Sequence, residues 1–238
     1  MSCFVSIEGV EGAGKSTLRT RLCDALEALE VEVVITREPG ATVLGQTVRS
    51  LVLDPKNQNL HPLTELMLFA ADRSQHLEEV IRPALDRGAL VLCDRYIHST
   101  LAYQGYGRGL NLKSLNSLNE FVTQGLKPDL VLLLDLDPEV GLQRAQQRSR
   151  KASGTFTAEE LQAAANGDSS LLDSGGQVDS GWTKFEQQKL DFHQRVRNGF
   201  LDLAQDPTNN MLKLDASASP EELSQKALQA IQKRLGTA

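Results

Sequence analysis

Residues 9–16 read Gly-Val-Glu-Gly-Ala-Gly-Lys-Ser, and no other stretch constrains the chain as tightly. The pattern G-x-x-x-x-G-K-[ST] forms a loop whose backbone N–H groups cradle the phosphates of a nucleotide. Its glycines let the backbone turn sharply and approach the oxygens, Lys15 reaches the β- and γ-phosphates, and the Ser16 hydroxyl is placed to ligate Mg²⁺. Gly9, Glu11, Gly12, Ala13, Gly14, Lys15, Ser16 and Thr17 are therefore the candidate phosphate-binding residues. Such a loop needs a strand before it and a helix after it. Residues 4–7 (Phe-Val-Ser-Ile) are a short apolar strand, and Leu18, Leu22, Ala25, Leu26 and Leu29 recur at helical spacing. The helix N-terminus then faces the phosphates, where its partial positive charge favours anions.

The remainder repeats this alternation. Strands are expected at 31–36, 89–93, 129–135 and 211–214, and helices at 43–53, 64–85, 112–124, 138–150, within 183–203, and at 220–235. Pro83 marks a kink near the end of the long helix, and 96–109, rich in Gly and Tyr, reads as a loop. Alternating strands and helices predict a three-layer α/β fold of the P-loop kind, a parallel five-stranded sheet with helices on both faces. In such sheets ligands bind at the carboxyl ends of the strands. From 151 to 181 the composition turns to Ser, Gly, Asp and Ala, too poor in large apolar residues for a second core. One domain over 1–238 is expected, with a mobile lid and flexible insertion at about 144–182 and a helical turn at 157–165.

Charge and cysteine usage narrow the partners. A net charge of −6 leaves no excess cation to neutralise a nucleic-acid polymer. Small phosphorylated ligands need only a local positive cluster. The three cysteines and four histidines show no metal-ligand spacing, so Cys3 and Cys93, on predicted strands, read as buried thiols. No apolar run approaches membrane-spanning length and no signal pattern opens the chain, so a cytoplasmic protein is expected.

Five arginines, Arg37, Arg49, Arg73, Arg95 and Arg108, fall on segments predicted to reach the crevice. In an acidic chain they suit a second phosphorylated ligand, because the guanidinium fork binds phosphate bidentately. Asp94, at the end of a buried strand, is placed to hold Mg²⁺ directly or through water. Phe69 and Arg73, four apart on a helix, share a face and offer an aromatic plane and a guanidinium to a base. Arg144, Arg148, Arg150 and Lys151 end the helix before the insertion, where a closing lid needs cations.

Taken in order, Thr36-Arg37-Glu38-Pro39-Gly40, Leu68-Phe69-Ala70-Ala71-Asp72-Arg73, Asp94-Arg95-Tyr96 with Ser99, and Tyr103-Gln104-Gly105 with Gly107-Arg108-Gly109 resemble the thymidylate kinase family over most of the chain. The resemblance implies transfer of the ATP γ-phosphate to dTMP, giving dTDP for dTTP synthesis, with Mg²⁺, in a homodimer. It implies that Phe69 stacks on thymine, Arg73 and Gln104 bond its edge, and Tyr103 crowds the sugar 2′ position. It also implies that Arg37, Arg95 and Ser99 serve the dTMP phosphate end, that Glu11 lies near the acceptor sugar, and that Lys15, Arg95, Arg148 and Arg150 are catalytic. In this family a catalytic arginine comes from the loop or from the lid. Gly12 occupies the loop position here, which assigns that role to Arg148 or Arg150, as in the bacterial type.

Two departures stand out. Ala41 replaces the second glycine after Arg-Glu-Pro, and Thr183-Lys184-Phe185-Glu186 stands where the family has Asp-Arg-x-Glu, so Lys184 loses a bidentate fork. A P-loop kinase for another nucleotide or nucleoside remains a competing reading. So does a nucleotide-binding regulatory protein without turnover, which the altered lid favours and intact Lys15, Ser16, Asp94 and Arg95 oppose.

Overall fold

Five apolar runs lie side by side as one parallel sheet in a computed structural model that describes residues 2–152 and 183–236. They are β1 (Cys3–Gly9), β2 (Val33–Arg37), β3 (Leu90–Asp94), β4 (Leu130–Asp135) and β5 (Met211–Asp215), in the order β2-β3-β1-β4-β5. Val5 pairs with Leu92 on one side and Leu130 on the other, so β1 is central and the connections reverse around it. Ligands bind at that reversal in open parallel sheets. Here it brings together the ends of β1, β3 and β4.

The helices are α1 (Lys15–Glu27), α2 (Val43–Leu53), α3 (Pro62–His76), α4 (Arg82–Asp86), α5 (Ile97–Thr100), α6 (Leu112–Thr123), α7 (Pro138–Ala152), α8 (Leu190–Leu203) and α9 (Pro220–Leu235). Both sheet faces are covered, which is why the strands read as unbroken apolar runs. Cys3, Val5 and Ile7 meet Leu18, Leu22 and Leu26 of α1 and Leu223, Ala227 and Ile231 of α9. On the opposite face Phe4, Val91 and Cys93 meet Leu77, Ile81, Ala84, Tyr96 and Ile97. Side chains two apart along a strand share a face, and the two clusters divide accordingly. Cys3 and Cys93 are buried, free thiols as expected. Among the described residues, no helix is long and apolar enough to cross a membrane.

One stretch is interrupted near Pro83, where a kink is expected, and another differs from expectation. The long helix over 64–85 breaks into α3, a π-helical turn at Leu77–Ile81, and α4 with Pro83 in its first turn. Proline has no N–H and its ring crowds the carbonyl four residues back, and the widened turn absorbs both defects. The expected loop at 96–109 is instead mostly helical, α5 followed by a π-helical run at Leu101–Gly107. Gly105 and Gly107 serve close packing: a Cβ on Gly107 would come within 2.7 Å of the Phe192 ring on α8. The expected turn at 157–165, and the insertion from 153 on, lie outside the described residues.

The phosphate-loop sequence is clamped from outside. Gly12 has φ +70°, and a Cβ there would overlap the carbonyl oxygen of Gly141 in the first turn of α7. A Cβ on Gly141 would in turn overlap the Glu11 carbonyl oxygen. Two glycines thus let loop and helix touch backbone to backbone. Helix propensity alone favours Ala over Gly by about 1 kcal/mol. We expect Gly141→Ala nevertheless to destabilise the protein by about 1–3 kcal/mol in urea unfolding, because backbone must move. Gln143→Ala, exposed on the same helix, should change stability by less than about 0.5 kcal/mol.

Candidate active site

The carboxyl edge of the sheet opens into a crevice of about 910 Å³, with Glu11, Gly12, Lys15, Ser16 and Thr17 at one end and Arg37, Phe69, Arg73 and Gln104 among its other walls. Gly14 caps α1 at φ +92° without a side-chain bond, so the first N–H groups of the helix remain turned to the loop. Gly9 (φ +142°) passes against the Leu134 carbonyl on β4, and Ala13 is buried in the core. Lys15 Nζ donates to the carbonyls of Gly9 (3.0 Å) and Val10 (2.9 Å). Burial, and then the Arg95 charge, lower the Lys15 ammonium to about 8, against the opposing pull of Asp94, Glu11 and Glu8.

Asp94 ends β3 beside this loop. Its Oδ2 lies 3.9 Å from Arg19, while its buried Oδ1 has no hydrogen-bond partner among the described residues. Arg95 follows with φ +72°, a costly conformation for a side-chain-bearing residue and one concentrated at functional sites. That turn aims its guanidinium at Gly9 O (3.2 Å), Ser99 Oγ (3.2 Å) and Glu11 Oε1 (3.4 Å), above the Tyr103 ring. Glu11 also accepts from the Tyr103 hydroxyl at 2.6 Å and lies 3.3 Å from His193 Nδ1 on α8. Burial would raise the Glu11 carboxyl, but His193, Arg95 and Lys15 outweigh it and pull it down to about 2. Behind it, fully buried Glu8 accepts from Ser99 Oγ (2.5 Å) and Tyr96 N (2.8 Å). Burial pushes its carboxyl up to about 7 despite Ser99 and Arg95.

At the far end the last residue of β2 is Arg37, and Glu38 follows it. Glu38, buried, accepts from Arg73 Nε (2.8 Å) and His76 Nδ1 (3.0 Å). Arg73 further donates to Asn119 Oδ1 (2.8 Å) and Tyr96 O (3.2 Å), so three of its five N–H groups are used and the plane is fixed. Asp72 accepts from Gly40 N at 3.1 Å and holds the Pro39-Gly40 turn. Gly40 has φ +110°, whereas Ala41 is absent from the described residues with positive φ, so the alanine costs the backbone nothing.

Several expectations need correction. Arg37, Arg49, Arg73 and Arg95 reach the crevice, but Arg108 does not. It grips Glu65 through Nε and Nη2 (3.2 and 3.1 Å) over the Phe192 ring. Lys184 is likewise no lid cation: it is fully buried, 2.7 Å from Glu65. Its neighbours do face the crevice. Phe185 packs edge-on to Tyr103 and near Phe69, and Glu186 accepts from Arg148 at 3.0 Å. The Arg148 side chain is 58% exposed while Glu186 is 4% exposed, so the cation is held at the mouth by a buried anchor. Arg150, exposed at the end of α7, is not among the lining residues. Sequence reading missed Arg19, Arg21 and His193. Arg19, four residues after Lys15, shares its helix face and was findable; His193 had no local signal.

A phosphate-gripping loop and a second cationic wall within one crevice are what phosphoryl transfer between two nucleotides requires, and they define the chain as a P-loop nucleotide kinase. Comparison with known proteins narrows the class. The family model described as "Thymidylate kinase" matches residues 7–167. A "Thymidylate kinase" of Desulfovibrio desulfuricans is 46% identical over 96% of this chain and 94% of the relative. One of Deinococcus radiodurans is 45% identical, over 97% of both. The crystal structure of thymidylate kinase from Ehrlichia chaffeensis superposes with a TM-score of 0.68 at 28% identity, covering 97% of this chain and 99% of that one. The chain belongs to the thymidylate kinase family, a family of phosphotransferases that are generally ATP-dependent.

The Lys15 value has a direct consequence for ATP. The ammonium is charged below pH about 8 and neutral above it, and only the charged form attracts phosphate. We expect ATP affinity to be flat below that pH and to weaken by up to about tenfold per unit above it. Calorimetric titration between pH about 7 and 9.5 tests this. An affinity independent of pH over that range would show that Lys15 stays charged throughout.

Proposed function

We propose that the protein is a dTMP kinase, transferring the γ-phosphoryl group of ATP to dTMP and giving dTDP for dTTP synthesis. The observation that carries this is the continuity of one crevice from Lys15 and Ser16 to Phe69, Arg73 and Gln104. In this reading Gly9 to Thr17 hold the ATP phosphates, Arg37 and Arg95, with Ser99 behind, grip the dTMP phosphate, and Phe69 stacks on thymine. Arg73, its plane fixed by Glu38, donates to the base edge, Gln104 completes the pairing, Tyr103 fills the 2′ position and Glu11 meets the sugar.

The nucleophile is a phosphate monoester oxygen, largely dianionic at neutral pH with a second pKa of about 6, so no strong general base is required. Catalysis is positioning and charge stabilisation. Lys15 and Arg95 draw the two phosphates together, and Arg148 leaves Glu186 to reach the transferring group, with Arg150 the less favourably placed alternative. Gly12 has no space for a side chain, which supports a lid arginine in place of one from the loop. A Mg²⁺ ion fits the donors present: the Ser16 hydroxyl is exposed to the crevice and Asp94 Oδ1 is a buried oxygen with no hydrogen-bond partner among the described residues. Bound there with ATP, it would neutralise phosphate charge.

We read the chain as one kinase domain over 1–238, with its lid at about 144–182, acting in the cytoplasm as a homodimer. Exposed Val43, Leu44 and Leu51 on α2 and Leu63 and Met67 on α3 support the last point, because a second copy would cover them.

The test is ADP release with ATP and Mg²⁺ against dTMP, dUMP, dCMP, dGMP, AMP and thymidine. dTMP should be the preferred acceptor; turnover with thymidine and none with dTMP would overturn the reading. Arg148→Ala should lower kcat on the order of 10³-fold with little change in KM for dTMP. Unimpaired kcat in both Arg148→Ala and Arg150→Ala would refute the lid assignment.

A further inference from the structure

Glu65 lies outside the crevice lining, yet it governs a residue inside it. It is fully buried on α3, and each of its oxygens accepts two hydrogen bonds. Oε1 takes Gln104 Nε2 (3.0 Å) and Arg108 Nε (3.2 Å), and Oε2 takes Arg108 Nη2 (3.1 Å) and Lys184 Nζ (2.7 Å). Burial would raise this carboxyl, but bonds from Arg108, Lys184 and Gln104 outweigh it and hold it below the ordinary carboxylate range. An ionised carboxylate only accepts. The Gln104 amide therefore has one permitted orientation, because the flipped one would set its carbonyl oxygen against Glu65 at hydrogen-bond distance. With Nε2 committed, Oε1 is the free end of the amide: it accepts no hydrogen bond from the described residues, and it is not among their buried unpartnered atoms.

We propose that Glu65, held by Lys184 and Arg108, is a positioning residue for base selection: it turns the Gln104 carbonyl oxygen toward the base and so favours a pyrimidine that carries N3–H. Thymine and uracil have that donor; cytosine has an acceptor at N3 and is repelled. Arg73, a donor only, favours a 4-keto oxygen in the same sense. The inference rests on the dTMP reading above and explains Lys184. The residue that departs from the family pattern acts in this chain as a buried counterion behind the base pocket. A site built to hydrogen-bond one pattern rejects the mismatched analogue strongly, because its own polar groups are then left unpaired.

The experiment compares kcat/KM for dTMP and dCMP in wild type, Glu65→Asp, and the double variant Glu65→Leu/Lys184→Met. The double variant replaces the fully buried Glu65–Lys184 pair with apolar side chains of similar volume and leaves Arg108 its bond to Gln188 Oε1 (3.0 Å) and its partial exposure to water. Glu65→Asp keeps the charge but withdraws the carboxylate from Gln104, so it decides the matter if the double variant does not fold. Both should raise KM for dTMP more than they lower kcat, and narrow the dTMP-to-dCMP ratio on the order of tenfold. In a Gln104→Ala background the Glu65 changes should narrow the ratio no further, since the effect passes through that amide. An unchanged ratio in the folded variants, or the same narrowing with and without Gln104, would overturn the inference. Failure of the dTMP reading is distinguishable, since wild type would then not turn over dTMP at all.

Discussion

Like charges crowded into one crevice repel, and the arrangement depends on buried carboxylates that hold them in place. Lys15, Arg37, Arg49, Arg73, Arg95 and Arg148 all face the same space. Glu38 fixes Arg73, Glu11 draws Arg95, and Glu186 retains Arg148. Glu65 collects Arg108 and Lys184 one layer back. A buried charge is tolerated only when paired and hydrogen-bonded, so each carboxylate also dictates where its cation can be. The acidic net charge is thus no obstacle to binding anions, because part of it lies beneath the cationic surface.

The same carboxylates differ among themselves in a way that suits their places. Glu11, surrounded by His193, Arg95 and Lys15, stays ionised in the crevice wall. Glu8, sealed beneath it with Ser99 and Tyr96 N as partners, is raised to about 7 by burial. One keeps its charge beside the cations that surround it. The other acts chiefly as a hydrogen-bonding brace under the turn that carries Arg95. Backbone contact between Gly12 and Gly141 adds a steric counterpart, fixing the phosphate loop to α7, the helix that carries Arg148.

The β-α alternation was legible because its signals are local. Apolar runs mark strands buried on both faces and helical spacing marks the helices, while in the folded chain Thr42, Asn111 and Ser219 cap helix starts and Gly236 a helix end. The expected bounds 43–53 and 220–235 coincide with α2 and α9. The Gly- and Tyr-rich stretch at 96–109 misled, because composition signals turns while Gly105 answers to Leu112 and Gly107 to Phe192 on a helix far along the chain. Arg37 and Arg95 were findable from strand ends, and Arg49 and Arg73 from helices expected to reach the same edge. Arg108 sits among them in sequence but points to the layer behind.

Order along the chain therefore followed from backbone preference and side-chain spacing, which act over a few residues and can be read in sequence. The identity of each cation's partner did not. Lys184 and Glu65 stand 119 residues apart and Gln104 and Glu65 stand 39 apart, and nothing local joins them. Their pairing follows from burial, which removes water as an alternative partner and leaves each charge only the groups that the folded chain brings to it.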